Sequence, residues 1–129
     1  NDSKATSFES TRYALKSHKN ILWIVGGLHK FKDKFKLKGL SQNIIKAYII
    51  GKNTKYFVNQ IQKKVDYRIS YSLDMALKNI FNDLKKIRYI KEKVLLFSPS
   101  SASFDQFNNF AHRGNKFKLL VKKYAKKYL

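Results

Sequence analysis

The sequence predicts an α/β domain, a Rossmann-like three-layer arrangement in which a mostly parallel sheet is flanked by helices. Three observations predict it. Short apolar runs, partly β-branched, end on glycine or small residues; stretches with helical spacing separate them; and no Pro-rich or Gly/Ser-rich linker divides the chain. The 129 residues, 43% of them apolar and 15% aromatic, suffice for one packed core, because a domain of this size buries roughly two thirds of its unfolded surface. Residues 1–129 therefore read as a single domain.

In chain order, Thr6 or Ser7 can cap a first helix through Glu9, Tyr13, Ala14 and Leu15, with Glu9 where the helix dipole favours an acid. It should end near His18. Ile21 to Val25 is continuously apolar and stops at Gly26-Gly27, the pattern of a strand buried on both faces and followed by a tight loop. Ala47 to Ile50, followed by Gly51, repeats that pattern, and Asp66 to Ser70 is a shorter third strand. Thr54 to Lys64 reads as a helix between them. Ser72 can cap the next helix, in which Leu73, Leu77, Ile80, Phe81, Leu84 and Ile87 recur at core-facing spacing. Val94 to Phe97 is a further buried strand, and the small residues from Ser98 to Ser103 form the loop leaving it. Ser103 and Gln106 have capping-box spacing, so a helix should open there and be interrupted at Gly114. The last helix carries Phe117, Leu120, Val121, Tyr124 and Tyr128 on one stripe and exposes Lys118, Lys122, Lys123, Lys126 and Lys127.

The composition is strongly basic: 28 Lys+Arg against 8 Asp+Glu, a formal net charge of +20. Such an excess is the usual footprint of a polyanion binder, and Lys30 to Lys38, where lysines alternate with Phe31, Asp33, Phe35 and Leu37, could track a single strand of nucleic acid and stack its bases. A small basic nucleic-acid-binding module is thus one reading. Against it, all the basic residues except Arg12, Arg68, Arg88 and Arg113 are Lys, whereas planar bidentate recognition favours Arg. Abundant Lys, Ile, Asn, Phe and Tyr together are what A+T-rich coding imposes on tolerant surface positions. In the favoured reading of Lys30 to Lys38 the lysines are solvated and the phenylalanines turn inward.

The absence of cysteine excludes disulfides, thiolate metal sites and cysteine nucleophiles. No apolar run reaches the roughly 18 residues of a membrane span, and the first residues resemble no signal or transit peptide. His18, His29 and His112 lack ligand spacing, and no nucleophile elbow or phosphate loop occurs. In an open parallel sheet, ligands bind beyond the C-terminal ends of the strands. That rule selects Asn1 to Thr6, Gly26 to Lys30 and Ser98 to Ser103 as segments able to meet at one sheet edge. Lys30 supplies a fixed positive charge, and Ser103 a hydroxyl at a helix N-terminus, where free N–H groups and the dipole favour an anion. The expected ligand is a carboxylate or phosphate.

These segments carry specific motifs: Asn1-Asp2-Ser3-Lys4-Ala5-Thr6, then Gly26-Gly27-Leu28-His29-Lys30, and the longest run, from Leu95 through Ser98-Pro99-Ser100-Ser101-Ala102-Ser103-Phe104-Asp105-Gln106 to Gly114. In that order they resemble the C-terminal domain of the Mur ligases, ATP-dependent amide-forming enzymes of bacterial peptidoglycan synthesis, and within that family the branch that adds D-glutamate to UDP-N-acetylmuramoyl-L-alanine. The resemblance implies a cytoplasmic monomer in which ATP phosphorylates the L-alanyl carboxylate and the D-glutamate amine attacks the acyl phosphate. It implies N-terminal and central domains, absent from this chain, that hold the UDP-sugar and most of the ATP and Mg2+. No catalytic or metal-binding residue is then expected in the fragment, which would be inactive alone, and no membrane or nucleic-acid partner is expected. By motif position, Lys30 matches the lysine pairing with a carboxylate of D-glutamate, Ser103 and Phe110 line the same pocket, and Thr6 contacts the amino acid. Asp2 and Lys4 match residues facing the ribose and phosphates of ATP, with Asn1 beside them. Ser100-Ser101 departs from the smaller residues expected in that loop.

Overall fold

The computed structural model describes residues 8–27, 34–99 and 110–128, with Phe110 and Tyr128 as backbone only. The first helix, α1, is Phe8–Ser17, with Glu9 in its first turn and Phe8, Thr11 and Leu15 buried. Asn20 then adopts a left-handed conformation (φ 55°), which asparagine tolerates. Its carbonyl accepts from the Val94 N–H at 3.0 Å and its side chain donates to the Glu92 carbonyl at 3.0 Å, so the entry into the first strand is tied to the last strand.

That first strand, β1, is Ile21–Gly26, buried at every position as its uninterrupted apolar run predicts. The second, β2, is Ile44–Ile50, opening three residues before the expected Ala47; Lys46 interrupts the apolar run but is neutralised by Asp83 at 3.1 Å. Helix α2 is Thr54–Ile61, shorter than the expected span to Lys64, because the chain turns at Ile61 and brings Val65 into the core. Strand β3 is Tyr67–Tyr71 and helix α3 is Leu73–Leu84, capped as expected by Ser72, whose hydroxyl accepts from the Met75 N–H at 3.1 Å. Ile87 lies beyond the helix in a following turn and still packs on the core. Strand β4 is Val94–Phe97.

The last helix, α4, is Phe110–Tyr128 and runs through Gly114, which corrects the expected interruption. A glycine inside a helix costs about 1 kcal/mol against alanine and does not by itself break it. Gly114 is buried among Arg113, Phe117, Leu120 and Tyr124, and packing of that face outweighs the propensity. The expected capping box at Ser103 and Gln106 lies outside the described residues.

The four strands pair in the order β3-β2-β1-β4, all parallel. Successive side chains along a strand point to opposite faces. Ile21, Trp23 and Val25 accordingly join a core with Phe8 and Leu15 of α1 and Phe57 and Ile61 of α2. Leu22 and Ile24 join Tyr48, Ile50, Phe97 and the apolar faces of α3 and α4. The result is the expected three-layer α/β domain. Helices α2 and α3 lie on opposite faces, as crossovers of constant hand require when the strand order reverses.

Candidate functional site

The reversal occurs between β1 and β4. β1 leads outward to β2 and β3, and the chain then returns to place β4 on β1's other side, so the topological switch point, where open parallel sheets form their ligand crevice, falls at the ends of β1 and β4, at Gly26 and Phe97. The walls are fixed by a small buried network. The Gly26 N–H donates to the Pro99 carbonyl at 2.9 Å, and the Ser98 N–H to the Ile24 carbonyl at 3.3 Å, extending pairing past the end of β4. The Trp23 indole N–H donates to the Ser98 carbonyl at 2.8 Å, and the Ser98 hydroxyl donates to the Thr11 hydroxyl at 2.9 Å. Trp23, Thr11 and Ser98 are fully buried, so each of these bonds satisfies a group that water cannot reach. From the neighbouring loop, the Asn53 amide donates to the Gly27 carbonyl at 3.1 Å, although Asn53 sits at the N-cap position of α2 and does not cap it.

Of the sequence-predicted site residues, Asn1, Asp2, Lys4, Thr6, Lys30 and Ser103 lie outside the described residues, and Phe110 is described by backbone alone as the first residue of α4. Described neighbours of those segments do meet. Gly26 and Pro99, leading toward Lys30 and Ser103, are hydrogen-bonded to each other. Phe8, just after Thr6 and Ser7, stacks on Phe35 at 4.6 Å between ring centroids, joining the start of α1 to the chain that returns from Lys30.

One residue of the long motif was given no role by sequence reasoning. Arg113 is 1% exposed, and its guanidinium stands 5.9 Å from the centre of the Phe97 ring, at the end of β4. The signal was present: Arg113 falls on the same stripe as Phe117, Leu120 and Tyr124, and a cation on a buried stripe is retained only where charge is compensated. Gly26, Ser98 and Thr11 are engaged with one another or with Pro99, and they fix the backbone from which the two loops depart. Such a set is suited to positioning those loops. It is not one for a divalent cation, which takes carboxylate and carbonyl oxygens.

The groups with displaced titration lie elsewhere. Tyr48 and Asp83 meet toward the start of β2, where the Tyr48 hydroxyl donates to Asp83 Oδ2 at 2.8 Å beside the Lys46 ammonium. Burial, reinforced by the Asp83 carboxylate, pushes the Tyr48 hydroxyl far up. Burial also works to raise Asp83, but hydrogen bonds from Tyr48 and Lys46 and the charges of Lys46 and Lys86 prevail and hold its carboxyl below the usual range. This cluster is remote from the crevice and serves the sheet.

The basic stretch resolves as the favoured reading expected over its described half. Lys34, Lys36 and Lys38 are exposed, while Phe35 and Leu37 are buried, Phe35 against Phe8, Trp23, Tyr56 and Phe57. A buried phenylalanine cannot stack a base, so the nucleic-acid reading loses that platform. Phe31 lies outside the described residues. Among the described residues, no group of three His, Cys, Asp or Glu could hold a metal ion, and no helix is long and apolar enough to cross a membrane.

No family model matches the chain. Individual relatives match it along nearly all of its length. It is 40% identical to a Bradyrhizobium diazoefficiens protein, the alignment covering 94% of this chain and 26% of that protein. It is 41% identical to one from Wolbachia sp. subsp. Brugia malayi, covering 91% and 23%, and 39% identical to one from Fusobacterium nucleatum, covering 95% and 29%. The chain therefore spans about a quarter of the length of these curated relatives. All three carry one name: UDP-N-acetylmuramoylalanine--D-glutamate ligase.

Proposed function

We propose that residues 1–129 are the amino-acid-binding C-terminal domain of an ATP-dependent ligase that joins D-glutamate to UDP-N-acetylmuramoyl-L-alanine. The similarity to D-glutamate ligases over at least nine tenths of the chain supports the class of enzyme. The observation that carries the site is the Gly26 to Pro99 hydrogen bond, which joins the backbone leading to Lys30 with the backbone leading to Ser103. Two motifs some seventy residues apart thus start from one point.

In this reading Lys30 pairs with a carboxylate of D-glutamate, Ser103 and Phe110 complete the pocket, and Thr6 adds a contact. Asp2, Lys4 and Asn1 face ATP. The rest of the enzyme, beyond this chain, supplies the phosphate loop, the UDP-sugar site and the Mg2+ that neutralises the phosphates. It acts in the cytoplasm as a monomer, and the fragment alone has no ligase activity. ATP transfers its γ-phosphoryl group to the L-alanyl carboxylate. The amine of D-glutamate then attacks the acyl carbon, the C–N bond forms as the C–O bond to phosphate breaks, and the amine gives up a proton. This domain's contribution is orientation: with its carboxylates held, the amino acid presents only its amine, and positioning of that kind is worth up to roughly 7–11 kcal/mol where geometry is ideal.

The deciding experiment replaces Lys30 with Ala in the full-length protein. A charge-assisted hydrogen bond is worth about 1.5–3 kcal/mol, so KM for D-glutamate should rise roughly 10- to 150-fold with KM for ATP unchanged. Equal effects on both substrates, or on neither, would remove Lys30 from the amino-acid pocket.

A further inference from the structure

Helix α4 contains no acidic residue, and Lys116, Leu119, Lys122, Lys123 and Lys126 are all exposed, Leu119 at 66%. At 3.6 residues per turn these five project within an arc of roughly 120°, with Leu119 at its centre. The opposite stripe is locked down: Phe117, Leu120 and Tyr124 are buried, and the Tyr124 hydroxyl donates to Asp74 of α3 at 2.9 Å. The helix therefore cannot roll, and it presents a fixed cationic face with one apolar side chain in the middle.

We propose that this outer face of α4 is a peripheral docking surface for a bilayer rich in anionic phospholipid. Each exposed lysine can present its ammonium to a headgroup phosphate as a point charge, Lys123 from a position 5.5 Å from the centre of the Tyr124 ring. Leu119, ringed by those lysines, enters the headgroup boundary, the arrangement of an interfacial helix with one face held by protein. Nucleic acid fits less well. The arc carries no arginine for bidentate phosphate or guanine contacts and no aromatic ring for stacking, and the only arginine of α4 is buried beside Phe97. The surface is independent of the crevice, so ligase function and membrane docking stand or fall separately.

Sedimentation of the protein at its full natural length tests this, with vesicles of phosphatidylcholine alone and of phosphatidylcholine mixed two to one with phosphatidylglycerol. Binding should require the anionic lipid and weaken as salt rises. Each lysine near an anionic surface contributes about fivefold in partitioning (~1 kcal/mol), so neutralising Lys122, Lys123 and Lys126 to Gln together should reduce it about a hundredfold. These side chains are exposed, and an unchanged melting temperature will verify that the fold is intact. A Leu119→Trp variant should show a blue-shifted emission component on the anionic vesicles only. The proposal is overturned by failure to bind the mixed vesicles, by binding indifferent to the triple substitution, or by an oligonucleotide that binds the same lysines and displaces the vesicles.

Discussion

Replacing Gly26 with Ala should damage the crevice and the sheet together. Gly26 ends β1 at φ 130°, and a Cβ built there falls 2.9 Å from the carbonyl carbon and the nitrogen of Ile50, and closer still to its oxygen. These are backbone atoms of the paired strand β2, so no rotamer change relieves the contact; the two strands must part. The conformation costs about 1–3 kcal/mol for a non-glycine residue, and loss of the Gly26 to Pro99 hydrogen bond adds about 1. With strand displacement the total should reach about 3–5 kcal/mol, a large share of the roughly 5–15 that holds a domain together. Gly39 provides the control: it too has a positive φ, 80°, but nothing lies within 4 Å of a Cβ placed there. Urea unfolding of both alanine variants separates the two contributions. At a slope of about 2 kcal/mol/M, Gly26→Ala should lower the midpoint by roughly 2 M and Gly39→Ala, which bears the conformational cost alone, by about 1 M or less. Equal, small shifts would refute the claim that β2 leaves no room at the mouth of the crevice.

Three further outcomes follow from the side-chain contacts. Trp23→Phe removes the indole donor to Ser98 and part of a fully buried ring, and should cost about 2–4 kcal/mol in chemical denaturation. Ser98→Ala deletes the hydroxyl bonded to Thr11 and should cost about 1–2 kcal/mol, with local amide exchange accelerated in α1 near Thr11. Asp83→Asn tests the cluster on β2. Because the folded carboxyl sits below its unfolded value, its contribution to stability is complete above about pH 4 and disappears as pH falls through the folded value. The wild type should therefore lose stability over that acid window more steeply than the Asn variant, which should be less stable at neutral pH; parallel pH profiles would exclude the role assigned to Asp83.

Local signals made most of the fold legible. The unbroken run Ile21 to Val25 is readable because a strand covered on both faces needs apolar side chains at every position, and Ser72 because its hydroxyl acts on a backbone N–H three residues ahead. The start of β2 was hidden because Lys46 looks like a surface residue until Asp83, remote in the sequence, is brought to it. Gly114 misled for the converse reason, since tertiary packing along α4 overrides a local preference. At the crevice, glycine and small-residue motifs marked the loops, and strand order now explains why their first residues, Gly26 and Pro99, meet. The Trp23 to Ser98 bond had no local signature, since it depends on which chain segment covers which, whereas Arg113 was marked as a cation on an apolar stripe but its partner ring, Phe97, was not legible.

Ser98 bonds to partners 75 and 87 positions earlier in the chain, so the crevice does not exist until the two ends of the domain have found each other. Pairing of β4 with β1 is a long-range closure across the chain, so the site's backbone frame depends on the tertiary fold as a whole. An anion held there would draw on the folded population alone and add about 2.7 kcal/mol to the whole domain at a hundred times its dissociation constant. Global unfolding is thus as direct a reporter of occupancy as any probe placed in the loops.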